Sequence, residues 1–470
     1  MENWRLPFYH IAAERMAVTG SPSGLFWDNL PPAAPILDSS LWPDTSDYAR
    51  DHWHLEPSVS MSQELHPEQQ TLFSARGYSS FRYGNLIVRN VLDVKESYLD
   101  DPYYVWKKDR FAAGRIEEAY IQYTGEHAFA RLGRTKRQWG PFIDRSILLS
   151  NNPFAYDAFE WGIWTSFLEF RHIFAMINSK TTSSSKPLVN DGNVDRYDRY
   201  LVGHALNFMF GQWASIGVSE TEVFTRKQGF PDLTYLNPVS VYSVINTNNE
   251  GNGNLMLGFQ GWAHPFYKPV TLKGQVVFDD FQVDNEDSSD LEPTHWAMDV
   301  GAYWNDPLPI ALSHHVSLEY QYLSRWMYTV ANNNTRRGER YTYNGRSLGV
   351  QDIDGDKVKM GFTVLGKNYW MAKLGGGIER RDTNTVTTEW LNGNKGWLGY
   401  REETPLSERP SLKTTVDLTL EGTGYFRDYA TVNLMVANRW IKENPNDDFA
   451  YDPQIRLEFS VHYSDFFLFW

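Results

Sequence analysis

An all-β fold, a transmembrane antiparallel β-barrel of about 18 strands, is predicted by three features of the sequence. The first is alternation: over residues 455–464, Ile455, Leu457, Phe459, Val461 and Tyr463 alternate with Arg456, Glu458, Ser460, His462 and Ser464. A strand of this kind has one apolar and one polar face, as lipid outside and water inside require. The second is the rhythm of the connections, in which tight turns alternate with long polar loops. The third is aromatic content: Phe, Trp and Tyr make up 15% of the chain, with 18 Trp and 27 Tyr, which suits the girdles at the two membrane interfaces. The tail Phe466-Phe467-Leu468-Phe469-Trp470 closes the chain on an aromatic, a common ending of bacterial outer-membrane barrels.

Composition narrows the alternatives. The 470 residues contain no linker, low-complexity stretch or fixed-period repeat, so one large unit is expected. No uncharged apolar stretch reaches the length of a helical span, a requirement that does not bind a barrel, where only alternate residues are apolar. Cysteine is absent, consistent with an oxidising compartment and no disulfides. The net charge of -14 argues against nucleic acid as a partner, because displacing counterions from phosphates needs a broad cationic surface. Residues 1–10 carry a Pro and several charges in place of an apolar signal core, so an exported protein is expected to have lost its leader already.

Two regions are expected along the chain. In residues 1–51, Phe8, Ile11, Ala12 and Met16 have helical spacing and precede Pro31, Pro32, Pro35 and Pro43. This reads as a short helix plus extended peptide in the periplasm, either a plug or docking arm or a leader packed on the barrel rim. Residues 52–470 read as the barrel. Short turns are expected at Tyr83-Gly84-Asn85, Thr124-Gly125-Glu126, Gly211-Gln212, 264–269, 305–309, Gly366-Lys367-Asn368 and Gly422-Thr423-Gly424. Long loops are expected over 95–115, 134–158, 179–199, 225–252, 282–293, 329–356 and 381–407. With the N-terminus in the periplasm this parity puts every long loop outside and returns Trp470 to the periplasmic edge. Residues 159–177 decide the parity: they suffice for two strands, yet only Thr165-Ser166 offers a turn. The polar faces bring Glu118, Arg131, Glu169, Arg171, Glu220, Asp279, Glu319, Arg456 and Glu458 to the lumen as expected ion-pair partners.

Residues 117–154 contain Gly133-Arg134, Trp139-Gly140-Pro141 and Leu148-Leu149-Ser150-Asn151-Asn152 in that order after a strand pair. A second patch runs Tyr343-Asn344-Gly345-Arg346-Ser347-Leu348-Gly349 and on to Asp354-Gly355-Asp356. In these patches the chain resembles the Wzi-like capsule-assembly family of outer-membrane proteins. The resemblance implies an 18-stranded barrel closed outside by infolded loops, an outer-membrane lectin that holds capsular polysaccharide at the cell surface and performs no catalysis. The N-terminal part departs from the family pattern, being short and Pro-rich where the best-known members carry a helical bundle.

Candidate functional residues lie in the same two loops. Arg134, Lys136, Arg137 and Arg145 accompany Trp139 and Phe142, and Arg336, Arg337, Arg340 and Arg346 accompany Tyr341 and Tyr343. Arginine forks hold carboxylate or phosphate at two points, and flat rings cover the apolar side of a sugar, so the pairing suits an acidic surface polysaccharide. Ion pairs within the loops or contacts to lipopolysaccharide phosphates are the structural alternative. Besides the glycan, the expected partners are outer-membrane lipid, lipopolysaccharide and other envelope proteins. Asp352, Asp354 and Asp356 alternate around Gly355 like the opening of a calcium loop, but the closing Glu is replaced by Thr363, leaving calcium and a plain Asp-Gly turn as the two readings. His172 and His204 fall in register with apolar neighbours, and spacing places no nucleophile beside them, so no enzyme is expected. A porin or channel for small polar or anionic solutes is the rival, since 16 to 18 strands enclose an aqueous lumen unless loops fill it.

Overall fold

A computed structural model of the protein describes residues 52–66, 70–95, 104, 113–125, 127–142, 146–177, 197–211, 213–227, 231, 233–248, 253–265, 270–280, 294–330, 336–366, 370–388, 405–426, 430–462 and 466–469. The expected helix and extended peptide over 1–51 fall outside these residues. In chain order the strands are β1 (His52–His66), β2 (Gln70–Tyr83), β3 (Leu86–Lys95), β4 (Ala113–Thr124), β5 (Ala128–Thr135), β6 (Tyr156–Trp164) and β7 (Leu168–Met176). Then come β8 (Tyr197–Phe210), β9 (Ala214–Lys227), β10 (Gly253–Ala263), β11 (Val270–Asp280), β12 (His295–Asn305) and β13 (Ser313–Leu323). A separate two-stranded ribbon, β14 (Thr342–Tyr343) and β15 (Arg346–Ser347), interrupts the series. It resumes with β16 (Gly355–Gly366), β17 (Trp370–Arg381), β18 (Lys413–Phe426), β19 (Ala430–Lys442), β20 (Ala450–His462) and β21 (Phe466–Phe469).

Each strand of the main sheet up to β19 pairs antiparallel with the next, and β20 and β21 return to the first. Of the 19 strands in this sheet, β20 and β21 follow one another along β1, so the cylinder has 18 strand positions. The fold is a closed all-β barrel in which β1 to β13 and β16 to β20 are each paired on both sides.

The barrel has the predicted parity. Asn85, Gly125, His127, 165–167, Gly211, Trp213 and 306–312 lie in the short connections at one end, while the long loops leave the other. Residues 156–176 form two strands, with the turn at 165–167 closed by Thr165 N–H donating to the Leu168 carbonyl (2.7 Å). The turn expected at Gly422-Thr423-Gly424 is instead strand: Gly422 pairs with Leu434 and Gly424 with both Val432 and Trp370. Ladder pairing on both sides outweighs glycine's preference for turns, and the chain reverses after Phe426.

Alternation sets the two faces. Phe208, Phe210, Ile216, Leu257, Phe259, Leu318, Leu418 and Leu457 are exposed on the outside, whereas their neighbours Asn207, Gln260, Gln321 and Ser219 are buried inside. Arg131, Glu169 and Arg171 sit in the lumen as expected. Glu220 does not: it shares the outward face of β9 with Ile216 and Val218, and a short segment outside the wall covers it. The lumen holds an apolar core in which Trp139, Ile147, Leu148 and Leu149 of one loop meet Met327, Tyr328, Tyr341 and Leu348 of another, against Ala175, Leu201, Val223 and Met256 of the wall.

Candidate functional site

The loop between β5 and β6 and the loop between β13 and β16 both fold into the barrel and bind each other. Trp139 N–H donates to the Leu149 carbonyl (2.9 Å), Ser150 N–H to Leu348 (2.8 Å), Leu348 N–H to Tyr341 (3.0 Å) and Tyr341 N–H to Tyr328 (3.2 Å). Ser150 Oγ donates to the Gly349 carbonyl at 2.6 Å, and Asn152 Nδ2 to the Ser347 carbonyl at 2.9 Å. The two sequence patches that carried the family resemblance are thus the two halves of one plug. Pairing the loops satisfies backbone groups that would otherwise be buried without partners.

The wall anchors the plug at fixed points. Gly203 leaves the space that the Trp139 ring fills, and a Cβ there would lie 3.2 Å from the ring and 2.7 Å from Thr221 Cγ2. Tyr341 Oη meets Thr221 Oγ1 at 2.7 Å, Gln275 Oε1 accepts from Ile147 N–H at 2.8 Å, and Arg199 donates to the carbonyls of Arg340 (2.6 Å) and Thr342 (2.9 Å). Beneath the plug Glu160 faces Arg137 (3.3 Å), Arg131 (3.8 Å) and Arg171 (3.8 Å) and accepts from Trp139 Nε1 (3.3 Å).

This arrangement sorts the residues singled out in the sequence. Arg137, Trp139, Arg340 and Tyr341 are fully buried, and Arg137 spends its donors on the carbonyls of Thr135, Tyr156 and Gly133. They build the plug and do not reach its surface. Arg134, Lys136, Tyr343 and Arg346 come together at the rim. Arg145 lies outside the described residues, and the side chains of Arg336 and Arg337, in the 3-10 turn Arg336–Glu339, do as well.

At the rim, the Arg115 and Arg346 guanidiniums lie over the Phe154 ring, at 4.4 and 4.5 Å from its centroid. Lys136 is within electrostatic reach of Arg76, Arg115, Glu117 and Arg346. Burial holds its ammonium below the usual lysine range; Glu117 works against this, and the three arginines add to it. Arg134 makes a two-point pair with Asp157 (2.6 and 3.0 Å), and the Tyr343 ring stands edge-on to Tyr156 at 5.8 Å. Asp93, Glu117 and Asp157 partly neutralise the group, in which cations outnumber carboxylates. Arg76, Arg115 and Phe154 escaped the sequence reading because their strands and loop meet the others only in the folded barrel.

The three aspartates of the second patch are each taken up by arginine. Asp352 pairs with Arg381, Asp354 with Arg409 and Arg325 (3.7 Å), and Asp356 accepts from both Nε (2.9 Å) and Nη2 (2.5 Å) of Arg380. Among the described residues no three His, Asp or Glu stand together as metal ligands. A cleft of about 600 Å³ opens beside this network, lined by Asp352, Arg381, Asn384, Thr385, Lys413 and Asn444 among others.

No family model and no curated protein matches the sequence. Among solved structures the chain is similar to Wzi, an outer membrane protein involved in group 1 capsule assembly in Escherichia coli and a carbohydrate-binding β-barrel. The TM-score is 0.58 at 12% identity, over 87% of this chain and 84% of that one. It is also similar to the outer membrane protein OpdK from Pseudomonas aeruginosa, with a TM-score of 0.47 at 11% identity over 88% and 99% of the two chains. For OprD from Pseudomonas aeruginosa the values are 0.46, 8%, 88% and 94%. At these identities the likeness is one of fold, and by fold the chain is an outer-membrane β-barrel built on the plan seen in Wzi.

Proposed function

We propose that the protein binds and anchors an acidic polysaccharide at the cell surface, through the rim formed by Arg76, Arg115, Arg134, Lys136, Phe154, Tyr343 and Arg346. The observation that carries this reading is the meeting of both loops at one cationic, aromatic surface on the external end of the barrel. Guanidinium and ammonium groups offer contacts to carboxylate or phosphate, and the half-buried Tyr343 ring offers an apolar face for a sugar, while the buried Phe154 ring backs the guanidiniums of Arg115 and Arg346. The fold likeness to a carbohydrate-binding barrel adds support.

A solute channel is the second reading, favoured by one feature of the lumen. The plug packs on β5 to β13, whereas Lys359, on the inward face of β16, stays exposed, and Arg439 and Arg456 beyond it are half-buried. Two measurements separate the readings. Planar bilayers containing the intact protein should be silent, and cells expressing it should retain fluorescent acidic polysaccharide. The triple variant Arg134→Gln, Lys136→Gln, Arg346→Gln should lose that retention while reaching the surface in equal amount. Steady open-channel current with unchanged retention in the triple variant would replace the lectin by the channel.

A further inference from the structure

The segment between β9 and β10 folds over the outside of the barrel. The faces of β8, β9 and β10 that expose Phe208, Ile216 and Phe259 lower down continue upward, by period-two alternation, to His204, Glu220 and Glu222. Two carboxylates on a lipid-facing wall would be costly if bare. The 3-10 turn Leu233–Leu236 and the short helix Tyr242–Asn248 cover them. Glu220 accepts N–H groups from Tyr242 (3.0 Å) and Ser243 (2.9 Å) and lies 3.3 Å from His204 Nε2, and Glu222 accepts from Tyr235 Oη (3.0 Å). The Tyr235 ring stacks on Phe224 at 4.1 Å, and that of Tyr242 lies 4.6 Å from His204. Together with Tyr200, Val202 and Ile245 they form a buried cluster distinct from the core inside the barrel.

The other side of this segment is exposed and largely apolar, with Thr234, Asn237 and Asn248 as its exposed polar residues. Leu233, Leu236, Val239, Val241 and Val244 are exposed, Val239 by 78% and Val244 by 56%. Its height on the wall says what meets it. At about 3.3 Å per residue and a tilt of roughly 40°, positions 204 to 200 stand ~15 to 25 Å above the short-turn end of β8. That is the outer half of an apolar band ~25 Å tall. Exposed Met176 and Leu257 flank the segment on the same wall, so the exposed side is continuous with the lipid-facing belt.

We infer that the segment Leu233–Asn248 is a membrane-seated flap, whose inner side shields Glu220 and Glu222 and whose outer side packs against acyl chains of the outer leaflet. This rests on the barrel fold and is independent of glycan binding. The chain has no cysteine, so nitroxide labels can be placed singly at Val239→Cys and Val244→Cys in the full-length protein in phosphatidylcholine vesicles. Phe259→Cys on the belt and Thr385→Cys on an external loop serve as references. Both flap labels should collide with oxygen in preference to a water-soluble nickel chelate, as the label at 259 does. Nickel preference like that at 385 would overturn the inference, and so would low collision with both reagents, which would place a protein surface over the flap. Adding Tyr235→Ser and Tyr242→Ser should turn the label at 244 toward nickel; an unchanged preference would overturn the docked arrangement on the wall.

Discussion

Lys136 and Arg137 are neighbours with opposite roles, which a basic run in the sequence does not disclose. Arg137 turns inward to three backbone carbonyls and Glu160, while Lys136 stays at the rim among Arg76, Arg115 and Arg346. In a strand, alternation would have assigned their sides; in an infolded loop only the final path does. The same limit explains Glu220, whose polar character argued for the lumen while its register put it outside beneath the flap. Because burial first, and then the nearby arginines, hold Lys136 below its ordinary 10.5, its charge is lost on the alkaline side earlier than that of a free lysine. Only the protonated form attracts an anionic glycan. Retention should therefore weaken as pH rises through the lowered pKa, by up to about fivefold, the worth of one exposed ion pair of roughly 1 kcal/mol. Lys136→Arg, which stays charged, should flatten that pH profile, and an equally steep profile in the variant would remove Lys136 from the site.

At the scale of elements, the strands β1 to β13 and β16 to β20 were legible because each repeats its signal over eight or more residues on two faces. Turns were less so: Thr165-Ser166 was the faintest and is real, whereas Gly422-Thr423-Gly424 was among the clearest and lies inside β18. Turn residues are a local preference, and a ladder bonded on both sides overrides it. The plug was legible only through family resemblance, since pairing between residues 139–150 and 328–349 is set by cross-loop hydrogen bonds that periodicity does not encode. Gly349 tests that pairing. A Cβ there would run into the Ile147 carbonyl and the Tyr328 hydroxyl, atoms that join the two loops. Gly349→Val should cost about 1–3 kcal/mol, as overpacking does, seen as a lower urea midpoint in lipid vesicles. It should also bring unsteady current to bilayers that are silent with the unaltered protein. A variant with unchanged midpoint and no current would show that the loops pair without the contact at Gly349.

At the scale of the whole molecule, one geometric relation governs everything else: successive residues of a strand face opposite media. Closure of β1 on β20 and β21 makes that relation hold around the full circumference, so the exterior is apolar at alternate positions and the plug is enclosed. Leu418 and Thr419, near the middle of β18, test it with a shift of one residue. Leu418 is 46% exposed and pairs with Asn438 and Gly376 on the outer face, while Thr419 faces inward opposite Ala437. If the outer face met water, an arginine at a site so exposed would cost almost nothing. If it meets hydrocarbon near the bilayer midplane, the guanidinium loses its hydration without gaining a partner, at about 2–4 kcal/mol. On the inward face Thr419→Arg enters a lumen wall that already carries Asp417 and Glu421 on the same side of β18, and opposite charge favours it there. Leu418→Arg should therefore lower the urea midpoint in lipid vesicles markedly and reduce the heat-dependent mobility shift on denaturing gels, while Thr419→Arg should leave both near those of the unaltered protein. Equal effects of the two substitutions would mean that the exterior of this cylinder does not face lipid.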